Sequence, residues 1–192
     1  MTNPVFILAS SSPRRLALLA DIGIVPTKVI APEIDESEKP REHPRQLAER
    51  LSLEKLHAVG SREPGAFILA ADTVVGVGRR ILPKAENDAD VRMCMKLMSG
   101  RRHHVYTGVA LQTPSGTLIN RVCDTSVIFR QLSERDIETY VLCKEGIGKA
   151  GGYGVQGRAA AMIRFMSGSY TNIVGLPLFD LTQMLNGAGW IG

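Results

Sequence analysis

A cluster of serine and arginine side chains near the start of the chain has the chemistry of an anion-binding site. The sequence Ser-Ser-Ser-Pro-Arg-Arg occupies positions 10–15, between a short apolar run and a leucine-rich run. This order predicts a strand, a tight turn and a helix, in which Ser12 is the N-cap and Pro13 the first helical residue. N–H groups at a helix start, hydroxyls and two guanidinium groups together suit a phosphate chain. The alternative is a capped helix that carries two surface arginines.

A second candidate is Asp72, a carboxylate inside the otherwise apolar run Phe67–Val77, where Thr73 is its polar neighbour. The run predicts a central strand. Burying a carboxylate is costly unless it is paired, hydrogen-bonded or bound to a metal, and strand ends in α/β sheets are common places for sites. Asp72 is therefore the leading catalytic candidate. The alternative is a structural aspartate that accepts backbone N–H groups.

Three further charged residues become informative only in combination. Lys55 lies in a segment whose leucines recur with helical spacing, Lys84 directly follows a short predicted strand, and Glu36 lies in a charged, proline-bearing loop. Each alone is more often a solvated surface charge.

A glycine-rich stretch near the end of the chain could let backbone approach a ligand closely. Positions 146–157 contain six glycines together with Gln156, whose planar amide offers one acceptor and two donors. The stretch is neither a Walker A loop nor a dinucleotide-binding fingerprint.

The elements that must position these residues alternate between helices and strands. Residues 104–113 and 117–130 predict two long strands joined by a Pro-Ser-Gly turn, and the segment 167–175 predicts a loop. Because hairpins and crossover helices coexist, the order predicts an α/β fold with a mixed sheet. Helices are predicted over residues 13–22, 45–59, 87–98, 133–144 and 177–185.

Length and composition place the chain among ordinary globular proteins. It has 192 residues, which suits a single domain over 1–192, and 23 basic against 19 acidic residues give a net charge of +4. This mild bias favours anionic partners but falls short of a nucleic-acid arm. The absence of a long apolar run and of a signal peptide predicts a cytoplasmic protein without a membrane segment. The three cysteines, far apart, predict neither a disulfide framework nor a zinc site.

Taken together, the motifs resemble the Maf family of nucleoside triphosphate pyrophosphatases, also called septum-formation inhibitors. One departure is Ala85, where many members have proline, and it concerns the local turn. The matching stretches appear in family order and cover nearly the whole chain: Leu8–Arg15, Ile34–Glu36, Leu53–Lys55, Ala70–Val75, Lys84, Gly152–Gly157 and Gly168–Pro177.

The resemblance implies a two-lobed α/β fold, similar to that of the inosine triphosphatases, with the substrate in a central cleft. It implies cleavage between the α and β phosphates to give a nucleoside monophosphate and pyrophosphate, a nucleotide-pool house-cleaning activity. Asp72 matches the proton acceptor, and the positions that set base preference in the branch acting on dTTP and UTP are matched by Arg14, Thr73 and Gln156. Other polar cleft positions are matched by Ser10, Arg15, Glu36, Lys55 and Lys84.

Phosphoanhydride hydrolysis depends mostly on positioning and on neutralising charge, so a divalent cation is expected as cofactor, Mg²⁺ first and Mn²⁺ as the alternative. Asp72 and Glu36 are its candidate ligands, and Asp72 can act as base, ligand or both. The expected partner is the nucleotide, with no membrane and no stable nucleic-acid partner, and the chain acts alone or as a homodimer. The alternatives are a 7-methyl-GTP pyrophosphatase of the same family, a phosphomonoesterase, and a nucleotide- or nucleic-acid-binding regulator of cell division without turnover.

Overall fold

The computed structural model describes residues 5–190, which form a seven-stranded mixed sheet packed with helices on both faces. The strands are β1 Phe6–Ala9, β2 Lys28–Val29, β3 Phe67–Val77, β4 Arg80–Leu82, β5 Arg102–Gln112, β6 Leu118–Phe129 and β7 Ile163–Ser167. The helices are α1 Pro13–Asp21, α2 Pro44–Gly60, α3 Asp88–Met98, α4 Glu134–Leu142, α5 Tyr170–Val174 and α6 Leu178–Gly187, with a 3₁₀ turn over Arg158–Met162.

The sheet order is β2-β1-β3-β5-β6-β7, with β4 as an additional neighbour of β3. Strands β1 and β2 are parallel, as are β1 and β3, whereas the other pairs are antiparallel. The expected α/β fold with a mixed sheet is therefore confirmed. Within the described residues, no helix is long and apolar enough to span a membrane.

The central strand β3 has a gap along one of its edges. On one side it pairs continuously with β5, from Ile68 to Gly76. On the other side it pairs with β1 only as far as Ala70, and with β4 only from Val75 onwards. The four residues between these points, 71–74, thus have no strand beside them on this edge within residues 5–190. We call this opening the sheet gap; the C-terminal ends of β1 and β4 both lead into it.

The two faces of the sheet have separate cores, as the alternation of side chains along a strand requires. The larger core contains Leu69, Ala71 and Val75 of β3 together with residues of α1, α3, α4 and α6. The opposite face carries Ile68 and Ala70 and is covered by α2. Even-numbered residues of β3 therefore face α2, and odd-numbered residues face the larger core.

Most element boundaries predicted from sequence lie within two residues of those observed, including the long β5–β6 hairpin. Ser12 is the N-cap residue of α1, but its side chain makes no capping hydrogen bond. The predicted loop over 167–175 is wrong in part, because it contains the short helix α5. Its N-cap Ser169 accepts the N–H of Asn172 at 3.2 Å, and such a single-turn helix is too short to show a periodic apolar pattern.

Helix α2 lies so close to β5 that a side chain at Gly108 has no room. A Cβ atom there would lie 2.2 Å from the carbonyl oxygen of Ala48 and 2.7 Å from the hydroxyl of Ser52. Glycine at this position therefore sets the distance between α2 and the sheet.

We expect Gly108→Ala to lower the free energy of unfolding by about 1–3 kcal/mol, because the new methyl group must push backbone aside. Urea unfolding measures this change. Gly187→Ala is the matched control: nothing lies within 4 Å of its added Cβ, in the last turn of α6, and it should be neutral or stabilising by up to about 1 kcal/mol. Equal stability of the two variants would contradict the packing argument.

Candidate active site

A cleft of about 700 Å³ opens at the sheet gap. The cleft is lined by residues that follow β1, by residues that follow β4, by part of the glycine-rich stretch and by the unpaired edge of β3. All the candidate residues named from sequence line this one cleft: Ser10, Arg14, Arg15, Glu36, Lys55, Asp72, Thr73, Lys84 and Gln156. The fold thus brings together residues that are up to 146 positions apart, Ser10 and Gln156 being the outermost.

At the floor of the cleft, Asp72 forms a buried ion pair with Lys55. Asp72 is an even-numbered residue of β3, so its side chain faces α2, the helix that carries Lys55. The Lys55 Nζ donates to Asp72 Oδ1 at 2.5 Å and lies 2.7 Å from Glu36 Oε1. Lys55 and Asp72 are each less than a tenth exposed, whereas Glu36 is exposed. One ammonium group therefore joins two carboxylates from different segments.

Burial raises the pKa of Asp72 above its ordinary value of 3.8, against the opposing effects of the nearby Lys55 and Arg15 charges. The loss of hydration destabilises the charged carboxylate more than the two cationic neighbours stabilise it. A raised pKa makes a carboxylate a stronger base, which is a property expected of a group that accepts a proton during catalysis.

Arg15 makes three hydrogen bonds within the protein, which use three of its five N–H donors. Its Nε donates to the Gly175 carbonyl at 2.8 Å, and its two terminal nitrogens donate to Ser10 Oγ at 3.0 Å and Thr73 Oγ1 at 3.2 Å. The side chain is buried. Arg15 therefore orients the Ser10 and Thr73 hydroxyls at the cleft and ties them to the loop after α5.

A polar chain continues from Thr73 into the larger core. Thr73 Oγ1 lies 2.9 Å from Thr107 Oγ1, which donates to the carbonyl of Asn172 at 3.1 Å. The Asn172 amide in turn donates to the Val105 carbonyl at 2.8 Å and to Thr125 Oγ1 at 2.9 Å. The motif over 168–177 thus supports the cleft from behind, through hydrogen bonds that fix Thr73.

Four cations line the cleft without a carboxylate partner among residues 5–190: Arg14, Arg15, Lys84 and Lys149. Of these, Arg15 donates to neutral groups of the protein, as described above. Arg14 is half-buried, and burial lowers its pKa. Lys149 was missed by the sequence analysis, because a lysine in an aperiodic glycine-rich stretch gives no pattern. The usable signal was its scarcity: from Gly146 to the end, only Lys149, Arg158 and Arg164 are basic.

The glycine-rich stretch carries Gln156 to the edge of the cleft and is anchored by two tyrosines. Tyr153 is buried, and its hydroxyl lies 2.9 Å from His103 Nε2. Burial lowers the pKa of His103 to about 4, so this histidine is neutral at physiological pH. The Tyr140 hydroxyl accepts the N–H of Gly154 at 3.1 Å. Gln156 itself is exposed and makes no hydrogen bond within the described part of the chain.

The two carboxylates at the cleft, Asp72 and Glu36, are oxygen ligands of the kind that a hard divalent cation takes. Asp72 and Glu36 already converge on one cationic atom, the Lys55 Nζ. Mg²⁺ characteristically takes one or two carboxylates and completes its shell with water and phosphate oxygens. No group of three or more His, Cys, Asp or Glu side chains suited to a metal occurs within residues 5–190.

Comparison with known proteins gives the family. Residues 5–188 match the family model described as Maf-like protein. The chain belongs to this family. A dTTP/UTP pyrophosphatase from Caulobacter vibrioides is 52% identical to this Maf-like protein over 188 residues, 98% of this chain and 97% of the relative. Proteins of the same name from Novosphingobium aromaticivorans and Gluconobacter oxydans are 48% and 50% identical, covering 97% and 98% of this chain and 93% and 92% of theirs.

The solved structure of a HAM1 protein from Coxiella burnetii has the same overall fold. It matches this Maf-like protein with a TM-score of 0.53 over 96% of this chain and 99% of the other, at 15% sequence identity. At that identity the likeness concerns the fold alone, and it supports the fold class expected from sequence.

We expect Asp72 to titrate above 3.8, and Lys55→Met to raise its midpoint further, because the mutation removes a charge that lowers the Asp72 pKa and leaves the carboxylate buried. Carboxyl ¹³C NMR titration measures both values. Lys39→Met is the matched control, since Lys39 is exposed and lies 3.5 Å from Glu54, away from the cleft. An Asp72 midpoint that falls or stays constant in Lys55→Met would contradict the assignment.

Proposed function

We propose that this Maf-like protein is a nucleoside triphosphate pyrophosphatase that cleaves dTTP and UTP between the α and β phosphates. The observation that carries the proposal is the placement of a buried, basic carboxylate, Asp72, in one cleft with Arg14, Lys84 and Lys149, whose charges no carboxylate within residues 5–190 neutralises. Relatives named dTTP/UTP pyrophosphatase, 48–52% identical over nearly the full chain, support the choice of substrate. Such an activity would remove nucleotides from the cytoplasmic pool.

In this proposal Asp72 accepts a proton from a water molecule. The water oxygen attacks the α phosphorus, the bond from that phosphorus to the bridging oxygen breaks, and pyrophosphate leaves with the bond electrons. Lys55 holds the Asp72 carboxylate in place from α2. Arg14 and Lys84 neutralise the phosphate chain, whose charge otherwise repels the hydroxide that develops as the water loses its proton.

We also propose that Mg²⁺, or alternatively Mn²⁺, is held by Asp72 and Glu36 together with phosphate oxygens of the substrate. When bound, the ion supplies further neutralisation of the phosphate charge. Glu36 is more exposed than Asp72, so it can move towards a ligand at smaller cost.

Base choice is assigned to Gln156. Uracil and thymine present an N3–H donor between two carbonyl acceptors, which a planar amide can match with one acceptor and one donor. Guanine presents two adjacent donors, which suit a carboxylate better because it only accepts. The exposed Gln156 amide at the cleft edge has its donors and acceptor available for such pairing.

With Mg²⁺ and a panel of dTTP, UTP, CTP, GTP and 7-methyl-GTP, we expect pyrophosphate and a nucleoside monophosphate as products. Asp72→Asn should lower kcat by about 10²–10⁴ while the fold stays intact, because the amide cannot accept the proton. Asp21→Asn, at the exposed end of α1, is the matched control and should retain full activity. Free phosphate as product would indicate a phosphomonoesterase, and nucleotide binding without turnover would indicate a regulator; either result overturns the proposal.

We expect the wild-type protein to prefer dTTP and UTP, and Gln156→Glu to shift preference towards guanine-type bases. A polar group of Gln156 that the bound base covers and leaves unmatched costs about 1–3 kcal/mol, which is roughly 5- to 150-fold in discrimination. The measurement is relative kcat/KM over the same panel. Gln183→Glu, an exposed glutamine on α6, controls for the added charge. A wild-type preference for 7-methyl-GTP would refute the assignment of pyrimidines.

A further inference from the structure

Lys149 is held at the cleft by its backbone. The N–H of Ala85 donates to the carbonyl of Lys149 at 3.1 Å, and the N–H of Gly148 donates to the carbonyl of Ala85 at 2.7 Å. Lys84 pairs with Ala150 in the same short antiparallel contact. A proline at position 85 would lack the N–H that this arrangement uses. Lys84 and Lys149 are therefore fixed on two chain segments that lie side by side.

The Lys149 side chain extends along the surface of the glycine-rich stretch. A Cβ atom at Gly154 would lie 3.0 Å from its Cε and 3.2 Å from its Cδ, so the absence of a side chain there makes room for the lysine. The Nζ donates to the carbonyl of Glu145, which uses one of three ammonium N–H groups. The contact leaves two donors for a ligand.

No carboxylate lies within ion-pair distance of the Lys149 Nζ in the described residues. The nearest acid along the chain, Glu145, directs its carboxylate elsewhere: Oε2 accepts the N–H of Arg158 at 2.7 Å, and Oε1 lies 3.8 Å from the Arg158 guanidinium. In contrast, Lys144 is exposed, lies outside the cleft lining and is paired with Asp88. Two lysines only five positions apart thus have opposite environments.

The positive charge of Arg14 acts on Lys149 more strongly than the opposing negative charge of Glu145. Burial and the Arg14 guanidinium both lower the pKa of Lys149. Both residues are half-buried in the lining of the cleft, and repulsion between them is unfavourable for the unliganded protein. An anion between them would relieve this repulsion and use the free Lys149 donors.

We propose that Lys149 is a further substrate-binding residue, which contacts the polyphosphate chain opposite Arg14 and beside Lys84. This inference rests on the proposed function for the identity of the substrate, but the contact itself requires only a polyphosphate. It assigns the lysine of the glycine-rich stretch to phosphate binding and Gln156, seven residues later, to the base. The stretch would then contact both ends of one nucleotide.

The test measures binding of inorganic tripolyphosphate and of dTMP by calorimetry, together with steady-state kinetics on dTTP. Lys149→Met should weaken tripolyphosphate binding by about tenfold or more, because a charge-assisted hydrogen bond is lost, and should raise KM for dTTP. Binding of dTMP should change less. Lys149→Arg, which keeps the charge, should restore most of the affinity, and Lys144→Met should bind as the wild type does.

Tripolyphosphate binding by a folded Lys149→Met protein within twofold of the wild type would overturn the inference, whether or not dTTP is hydrolysed. Equal weakening by Lys149→Met and Lys144→Met would also overturn it, since that would reflect net charge alone. If the wild type hydrolyses no triphosphate while Lys149→Met still loses tripolyphosphate binding, the proposed function fails and the phosphate contact stands.

Discussion

The buried ion pair between Asp72 and Lys55 determines much of the architecture around it. A carboxylate inside a central strand is tolerable only with a cation at hydrogen-bond distance, and the Lys55 Nζ at 2.5 Å supplies it. This requires α2 to lie directly on β3 and β5, a closeness that Gly108 permits. The pair also leaves Asp72 with a raised pKa, because burial outweighs the attraction of its neighbours. The same ion pair is therefore involved both in the packing of α2 on the sheet and in the raised pKa of Asp72.

The sheet gap gives this carboxylate access to ligands. Strands β1 and β4 pair with the same edge of β3 and stop short of each other. The segments that follow these two strands therefore carry Arg14 and Lys84 towards the same opening. Repulsion among cleft cations that have no carboxylate partner within residues 5–190 lowers the stability of the protein without a ligand. Sites that bind anions commonly accept such a loss of stability for function. The same opening would close if either strand were extended by a few residues.

The sequence alone was most informative where one residue differed in polarity from the residues around it. Asp72 in an apolar run identified the centre of the site, and apolar periodicity located the hairpin and most helices. Long-range contacts left no such signal: the hydrogen bond from Arg15 to the Gly175 carbonyl, 160 positions away, cannot be read from the residues around Arg15. Lys149 gave no local signal either, because its lack of a carboxylate partner among residues 5–190 depends on where the Glu145 carboxylate points.

The pairing of β4 with β3 has a consequence for how the chain can vary. Val75 lies opposite Leu82 and Val77 opposite Arg80, which leaves a two-residue connection, Gly78 and Arg79, with Gly78 at a φ of 58°. If β4 shifted its register on β3 to absorb one inserted residue, it would slide by about 3.4 Å and its side chains would face the opposite side of the sheet. The length of a solvent-exposed turn outside the cleft thus influences where β4, and the cleft segment that follows it, lie on the sheet.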